Sequence, residues 1–250
     1  MTAGIVIPMR LGASRLPGKG LASIGPYRAV ELLVGRLRAG VTRARRIVLC
    51  TTRERGDDTL ATVAAEMGVG VYRGSTDDVL LRLTEGAESL GVEWVAEVDG
   101  DDIFCDPAHV DLALERAAAT AADCLSFANL PIGATAHVLS VAAMRRACEL
   151  KAGSDTSTGF LLPLTNRPEF KTVRELADPA YELPRARMTL DYSEDLEFFR
   201  AVVARFPGRE LAFSLGELVD LLRREPALVE INAGLSEIYW ERFNRMKTIA

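Results

Sequence analysis

Residues 5–21 read IVIPMRLGASRLPGKGL. An apolar run (Ile5, Val6, Ile7) ends abruptly at Pro8, and Arg10, Arg15 and Lys19 follow with Gly12, Pro17 and Gly18 between them. Three cations on a loop that cannot be helical, directly after a buried strand, form a cradle for a polyphosphate. Glycines let backbone N–H groups approach, and arginine supplies bidentate donors. A solvated basic loop is the plainer alternative. The spacing is not that of a Walker A loop, because five residues separate Gly12 from the Gly18-Lys19 pair and Gly20 stands where a hydroxyl belongs. It is not the G-x-G-x-x-G of a dinucleotide fold either, which argues against a nicotinamide-dependent oxidoreductase.

Outward from this stretch, strand-like and helix-like segments alternate. Strands are expected at 5–7, 46–51, 69–72, 94–98 and 123–127. Helices are expected at 29–37, at 57–67 closed by Gly68, at 77–90 capped by Ser75 or Thr76 and ended by Gly91, and at 110–119. This order predicts a three-layer α/β/α fold with a mostly parallel, Rossmann-like sheet covered on both faces. Ligands of such sheets bind beyond the carboxyl ends of the strands, so the 10–19 loop and the 99–102 turn should face one crevice. The second half is less regular. Helices are expected at 144–150, 194–203 and 215–224, a strand at 187–190, and an amphipathic helical tail at 235–247. With no repeat, low-complexity region or clear linker, a single domain spanning 1–250 is expected, with a helical tail from 214 to 250.

Composition narrows the partners. Apolar residues make up 48% of the 250 and charged residues 26%, as in ordinary globular chains. A net charge of −5 argues against nucleic acid as the main partner and fits a small anionic ligand held by a local basic loop. No run of about 18 apolar residues suggests a membrane span. The first residues lack the basic and apolar regions of a signal peptide. Cys50, Cys105, Cys124 and Cys148 are far apart and lack C-x-x-C spacing, so buried free thiols in a reducing cytoplasm are expected. With only His109 and His137 present, a histidine-rich metal site is out of reach.

Two acidic segments stand out. Residues 98–107, VDGDDIFCDP, place Asp99, Asp101 and Asp102 directly after an expected strand. Three crowded carboxylates need a cation or water to relieve them. Oxygen-only ligation suits Mg²⁺, which takes one or two carboxylates plus phosphate oxygens and water. A polar turn with Asp106 capping the next helix is an equal reading. In residues 188–199, MTLDYSEDLEFF, Ser193 is placed to cap a helix, and Glu194 and Asp195 fall in its first turn, where the macrodipole favours acids. Asp191 is not needed by a cap and is free to serve as a second metal carboxylate.

Together these segments resemble the CTP-dependent cytidylyltransferases that activate sugar acids, the 3-deoxy-manno-octulosonate and acylneuraminate enzymes, and within them the spore-coat polysaccharide branch. Arg10, Ser14, Arg15, Leu16, Pro17, Gly18 and Lys19 match R-x-x-S-x-R-L-P-G-K. Gly100-Asp101-Asp102-Ile103 matches a G-D-x-P turn, and Asp191 to Leu196 matches D-x-P-E-D-L. Residues 73–82, 131–140 and 225–232 also resemble that branch, so the likeness covers most of the chain. Ile103 and Ser193 replace the usual prolines, and the branch's R-E-H-V-T signature is absent, with DTSTGF at 155–160 in that region.

The resemblance implies a fold of the nucleotide-diphospho-sugar transferase type and transfer of CMP from CTP to a small anionic acceptor, a sugar acid by default, with release of pyrophosphate. A phosphate- or phosphonate-bearing acceptor is the alternative, and an inactive nucleotide-binding regulatory protein an alternative of another class. It implies catalytic roles for Arg10, Arg15, Lys19, Asp101 and Asp191, with Mg²⁺ on Asp101 and Asp191. The nucleotide would lie against Gly12, Ser14 and the cations. Cytosine would be read by backbone at Pro8, Met9, Thr51 and Thr52. Acceptor-side candidates are Asn129, His137, Asp155, Thr156 and Arg187, within a 128–190 region that also suits homodimer contacts.

Overall fold

The computed structural model of the chain describes residues 2–153 and 159–236. β1 (Ala3–Pro8) is followed by a small hairpin, β2 (Ser23–Ile24) and β3 (Tyr27–Arg28), and by α1 (Ala29–Gly40). Then come β4 (Arg46–Thr52), α2 (Asp58–Glu66), β5 (Gly70–Gly74), α3 (Val79–Ser89), β6 (Trp94–Glu97), α4 (Pro107–Thr120) and β7 (Cys124–Ala128). The second half adds β8 (His137–Ser140), α5 (Val141–Leu150), α6 (Leu162–Thr165), β9 (Thr172–Leu176), α7 (Ser193–Val203), α8 (Leu215–Arg224) and α9 (Pro226–Glu230).

Side-chain alternation along the strands builds a core on each face of the sheet. Ile5 and Ile7 of β1 pack with Ile47 and Leu49 of β4 against α1, α2, α4, α7 and α8. Val6, Val48 and Val95 point the other way, onto α3 and α5. The seven strands run in the order β5-β4-β1-β6-β8-β7-β9 among the described residues, and only β8 is antiparallel to its neighbours. The expected mostly parallel, two-sided sheet is therefore what forms. β1 pairs with β4 on one side and β6 on the other, so the chain reverses its direction of winding between β1 and β6. That switch point opens a crevice at the strand ends.

Several local expectations are revised. The helix at 77–90 is capped by Asp78, whose carboxylate accepts from Leu81 N at 3.0 Å, and not by Ser75 or Thr76; Ser75 Oγ instead accepts from Asp78 N. Residues 187–190 are not a strand: one bridge joins Arg187 to Ile132, and the segment crosses the sheet's carboxyl edge, with Leu190 N bonded to Asp101 O at 2.9 Å. Apolar Met188 and Leu190 alternate with polar Arg187 and Thr189 as in a strand, but all four are buried. Ser193 is the first helical residue of α7 and not its cap; Asp195 reaches back to accept from Tyr192 N and Asp191 N, both at 2.9 Å. β8 and β9 have no counterpart among the expected strands. Gly68 and Gly91 close their helices at positive φ, as expected. The tail beyond 236 lies outside the described residues.

Candidate active site

The crevice is built by the loop after β1, the turn after β6 and the segment entering α7. Gly100 permits their approach: its N–H reaches Pro8 O at 3.1 Å, and a Cβ there would lie 2.5 Å from the same oxygen. A cleft of about 320 Å³ opens above, lined by Pro8, Met9, Arg10, Ser14, Arg15, Lys19, Asp101 and also Arg82 and Phe160.

On its floor the two predicted carboxylates converge on one cation. Lys19 Nζ donates to Asp101 Oδ2 at 2.6 Å and to Asp191 Oδ1 at 2.9 Å. Arg15 also donates to Asp191 Oδ1, and Arg187 Nη2 donates to Asp191 Oδ2 at 2.9 Å. Burial opposes the charge on Lys19, but the two carboxylates outweigh it and raise its pKa above the ordinary lysine value. Burial likewise opposes ionisation of Asp191, yet Lys19, Arg15 and Arg187 hold its carboxyl below the usual range. Around Asp101 the pattern inverts. Burial, reinforced by neighbouring acids, drives the Asp99 and Asp102 carboxyls well above their ordinary values.

The remaining candidates are distributed as follows. Gly12 is exposed, with open space where a side chain would stand. Thr51 and Thr52 have buried side chains at the end of β4, and Thr52 Oγ1 is bonded to Asp57. Asn129 is tied to Ala177 in both directions, donating to its carbonyl at 3.3 Å and accepting from its N–H at 3.1 Å. Arg187 is fully buried, paired with Asp195 through Nε at 3.0 Å as well as with Asp191. His137 is half-buried, 3.4 Å from Glu97. Asp155 and Thr156 lie outside the described residues. Ile103 is buried in the core and Ser193 is the first residue of α7.

Sequence reasoning placed Arg82 in the 73–82 stretch that resembles the spore-coat branch but gave it no role in the site. It comes from α3, is 2% exposed, and lines the cleft beside Arg10, with Nη1 fixed on Ser75 O. Burial and the nearby Arg10 charge lower its pKa. An arginine at a helix position otherwise occupied by core residues is the signal that could have found it.

A family model described as Cytidylyltransferase matches residues 4–208. The chain belongs to the cytidylyltransferase family. This cytidylyltransferase is 28% identical over 226 residues to the spore coat polysaccharide biosynthesis protein SpsF of Bacillus subtilis (strain 168), covering 88% of this chain and 94% of that protein. It is 36% identical over 119 residues to the 3-deoxy-manno-octulosonate cytidylyltransferase of Chlorobaculum tepidum, covering 46% of this chain and 45% of that one. Its fold is similar to a cytidylyltransferase from Leptospira borgpetersenii, with a TM-score of 0.82 at 22% identity over 92% of this chain and 97% of the other. A CMP:2-keto-3-deoxy-manno-octonic acid synthetase complexed with CTP superposes with a TM-score of 0.61 at 18% identity, over 82% and 99% of the two chains. The expected CTP-dependent nucleotidyltransferase class holds. Among the described residues no helix is long and apolar enough to cross a membrane.

Proposed function

We propose that the cytidylyltransferase moves CMP from CTP to a sugar acid in polysaccharide biosynthesis, with Mg²⁺ that Asp101 and Asp191 would hold. The observation that carries this reading is the convergence of both carboxylates on the Lys19 ammonium. Among the described residues no group of three His, Cys, Asp or Glu could hold a metal. A two-carboxylate set suits Mg²⁺, which draws its other ligands from phosphate and water. The ion, when bound, supplies Lewis-acid polarisation of the α-phosphate.

The triphosphate is read as lying on the 12–19 loop, where Arg10, Arg15 and Lys19 neutralise it. Arg15 and Lys19 already serve Asp191, so nucleotide and metal would redistribute those ion pairs. The acceptor oxygen attacks the α-phosphorus, the P–O bond to the β-phosphate breaks, and pyrophosphate leaves. The chain contributes positioning and charge, and no covalent enzyme intermediate is required. Pro8 and Met9 line the nucleotide side, and the backbone at Thr51 and Thr52 completes the cytosine reading. We assign one domain to 1–250, acceptor and homodimer contacts to 128–190, and a cytoplasmic setting that suits four free cysteines.

The test is pyrophosphate release from CTP and Mg²⁺ across a panel of sugar acids and of phosphate- or phosphonate-bearing acceptors. Turnover with a sugar acid is expected. Turnover confined to the phosphorylated arm would reassign the acceptor, and no turnover with any member would overturn the proposal.

A further inference from the structure

We infer that Asp57 is a positioning residue for the nucleotide loop, its carboxylate setting the place of Leu11 and, through it, of Arg10 and Lys19. Asp57 stands immediately before α2, where a carboxylate ordinarily caps its own helix. It makes no such bond. Instead Oδ1 accepts from Leu11 N at 2.7 Å, forty-six residues earlier in the chain, and Oδ2 accepts from Thr52 N at 3.3 Å and from the Thr52 hydroxyl. The side chain is buried, with the residue 3% exposed. Burial disfavours its charge, but the donors from Leu11 and Thr52 outweigh that and hold its carboxyl below the ordinary value.

Leu11 is the hinge of the loop. Its carbonyl accepts from Gly18 N at 2.9 Å, closing residues 11–18 into a ring. Gly18 then turns through φ 74°, a left-handed conformation suited to glycine, and delivers Lys19 into the start of a short helical turn. Arg10 precedes Leu11 directly. Held at Leu11, the loop therefore presents its cations from both ends at once. Asp57 fastens that hinge to the end of β4, a rigid strand paired on both sides. A loop rich in glycine loses much freedom on binding a polyphosphate, and fixing it beforehand reduces that loss.

The inference rests on the loop being the seat of the CTP phosphates. Calorimetry with CTP and with CMP on the full chain tests it, with folding checked by circular dichroism. Asp57→Ala is expected to weaken CTP at least about tenfold and CMP less than about threefold, since the β- and γ-phosphates depend most on loop placement. Asp57→Asn retains an acceptor for Leu11 and is expected to restore most of the CTP affinity. In the unaltered protein the Leu11 amide is expected to exchange slowly without nucleotide, a readout that stands even if Asp57→Ala does not fold. Free exchange at Leu11, or a folded Asp57→Ala that keeps its preference for CTP, overturns the inference alone. An unaltered protein that binds CTP no better than CMP removes the phosphate role of the loop as well.

Discussion

At the scale of the residue, the site is a balance of charges whose members are individually testable. Asp101→Ala and Asp191→Ala are each expected to nearly abolish pyrophosphate release, since losing a metal carboxylate costs several kcal/mol of barrier and each ~1.4 kcal/mol is tenfold in rate. Circular dichroism should show both variants folded; near-normal turnover in either would refute the mechanism. Lys19→Ala is expected to weaken CTP binding or slow transfer, and unchanged calorimetry and kinetics would remove it from the phosphate site. Glu97 offers a pH test. Burial first, and the Asp101 charge second, push its carboxyl from 4.5 up to about 8. Between those values the folded chain holds a proton that the unfolded chain has released, so this group's contribution is full below the lower value and declines as pH rises toward the upper one. Glu97→Gln should flatten that decline in denaturant midpoints measured from about pH 5 to about pH 8. An unaltered slope would show that Glu97 does not carry it. The five charged candidates were readable because their types, packed beside Gly and Pro, have few structural uses. Asp57 and Arg82 were not, because the first acts through a bond to a distant backbone amide and the second hides in a helix periodicity.

At the scale of the element, α7 and the segment before it form a buried polar knot. Asp195 accepts the amides of Asp191 and Tyr192, pairs with Arg187, and accepts from Asn232 Nδ2 at 2.8 Å. Asp195→Ala is expected to cost roughly 3–5 kcal/mol, because it leaves a fully buried guanidinium with one carboxylate fewer and uncaps the helix. Urea denaturation measures this, and a loss below about 1 kcal/mol would show the knot to be dispensable. The helix itself was legible from its acidic first turn. Its cap was not, since Ser193 and Asp195 compete for that role and only the path of residues 187–192 decides between them. The same path explains why 187–190 read as a strand: apolar Met188 and Leu190 alternate with Arg187 and Thr189, a pattern shared with a segment laid across strand ends, where all four are buried.

At the scale of the whole molecule, the reversal between β1 and β6 makes one crevice from segments far apart in sequence. Nucleotide binding there should stabilise the entire fold. At 100 times its dissociation constant CTP contributes about 2.7 kcal/mol. For a chain of this size each kcal/mol is worth roughly 2–4 °C of melting temperature. A thermal shift of roughly 5–10 °C with CTP, and none with a nicotinamide dinucleotide, is the expected result. Equal shifts with both would place the nucleotide elsewhere. The first half of the sheet was legible because each strand and helix announces itself by local periodicity. β8 and β9 were not, because β8 is four residues long and antiparallel, and β9 alternates exposed and half-buried residues at the sheet's edge.

By itself the sequence determined the class of the fold, the cationic loop and the carboxylates that belong with it, because hydrophobic period and charge type are local properties of the chain. Only the tertiary structure decided that Lys19 lies between Asp101 and Asp191, that Thr51 and Thr52 turn inward, and that Asp57 grips Leu11. Each of those depends on strand order and on which way a loop folds back. They are set by the packing of segments separated by tens of residues, and no local pattern encodes that packing.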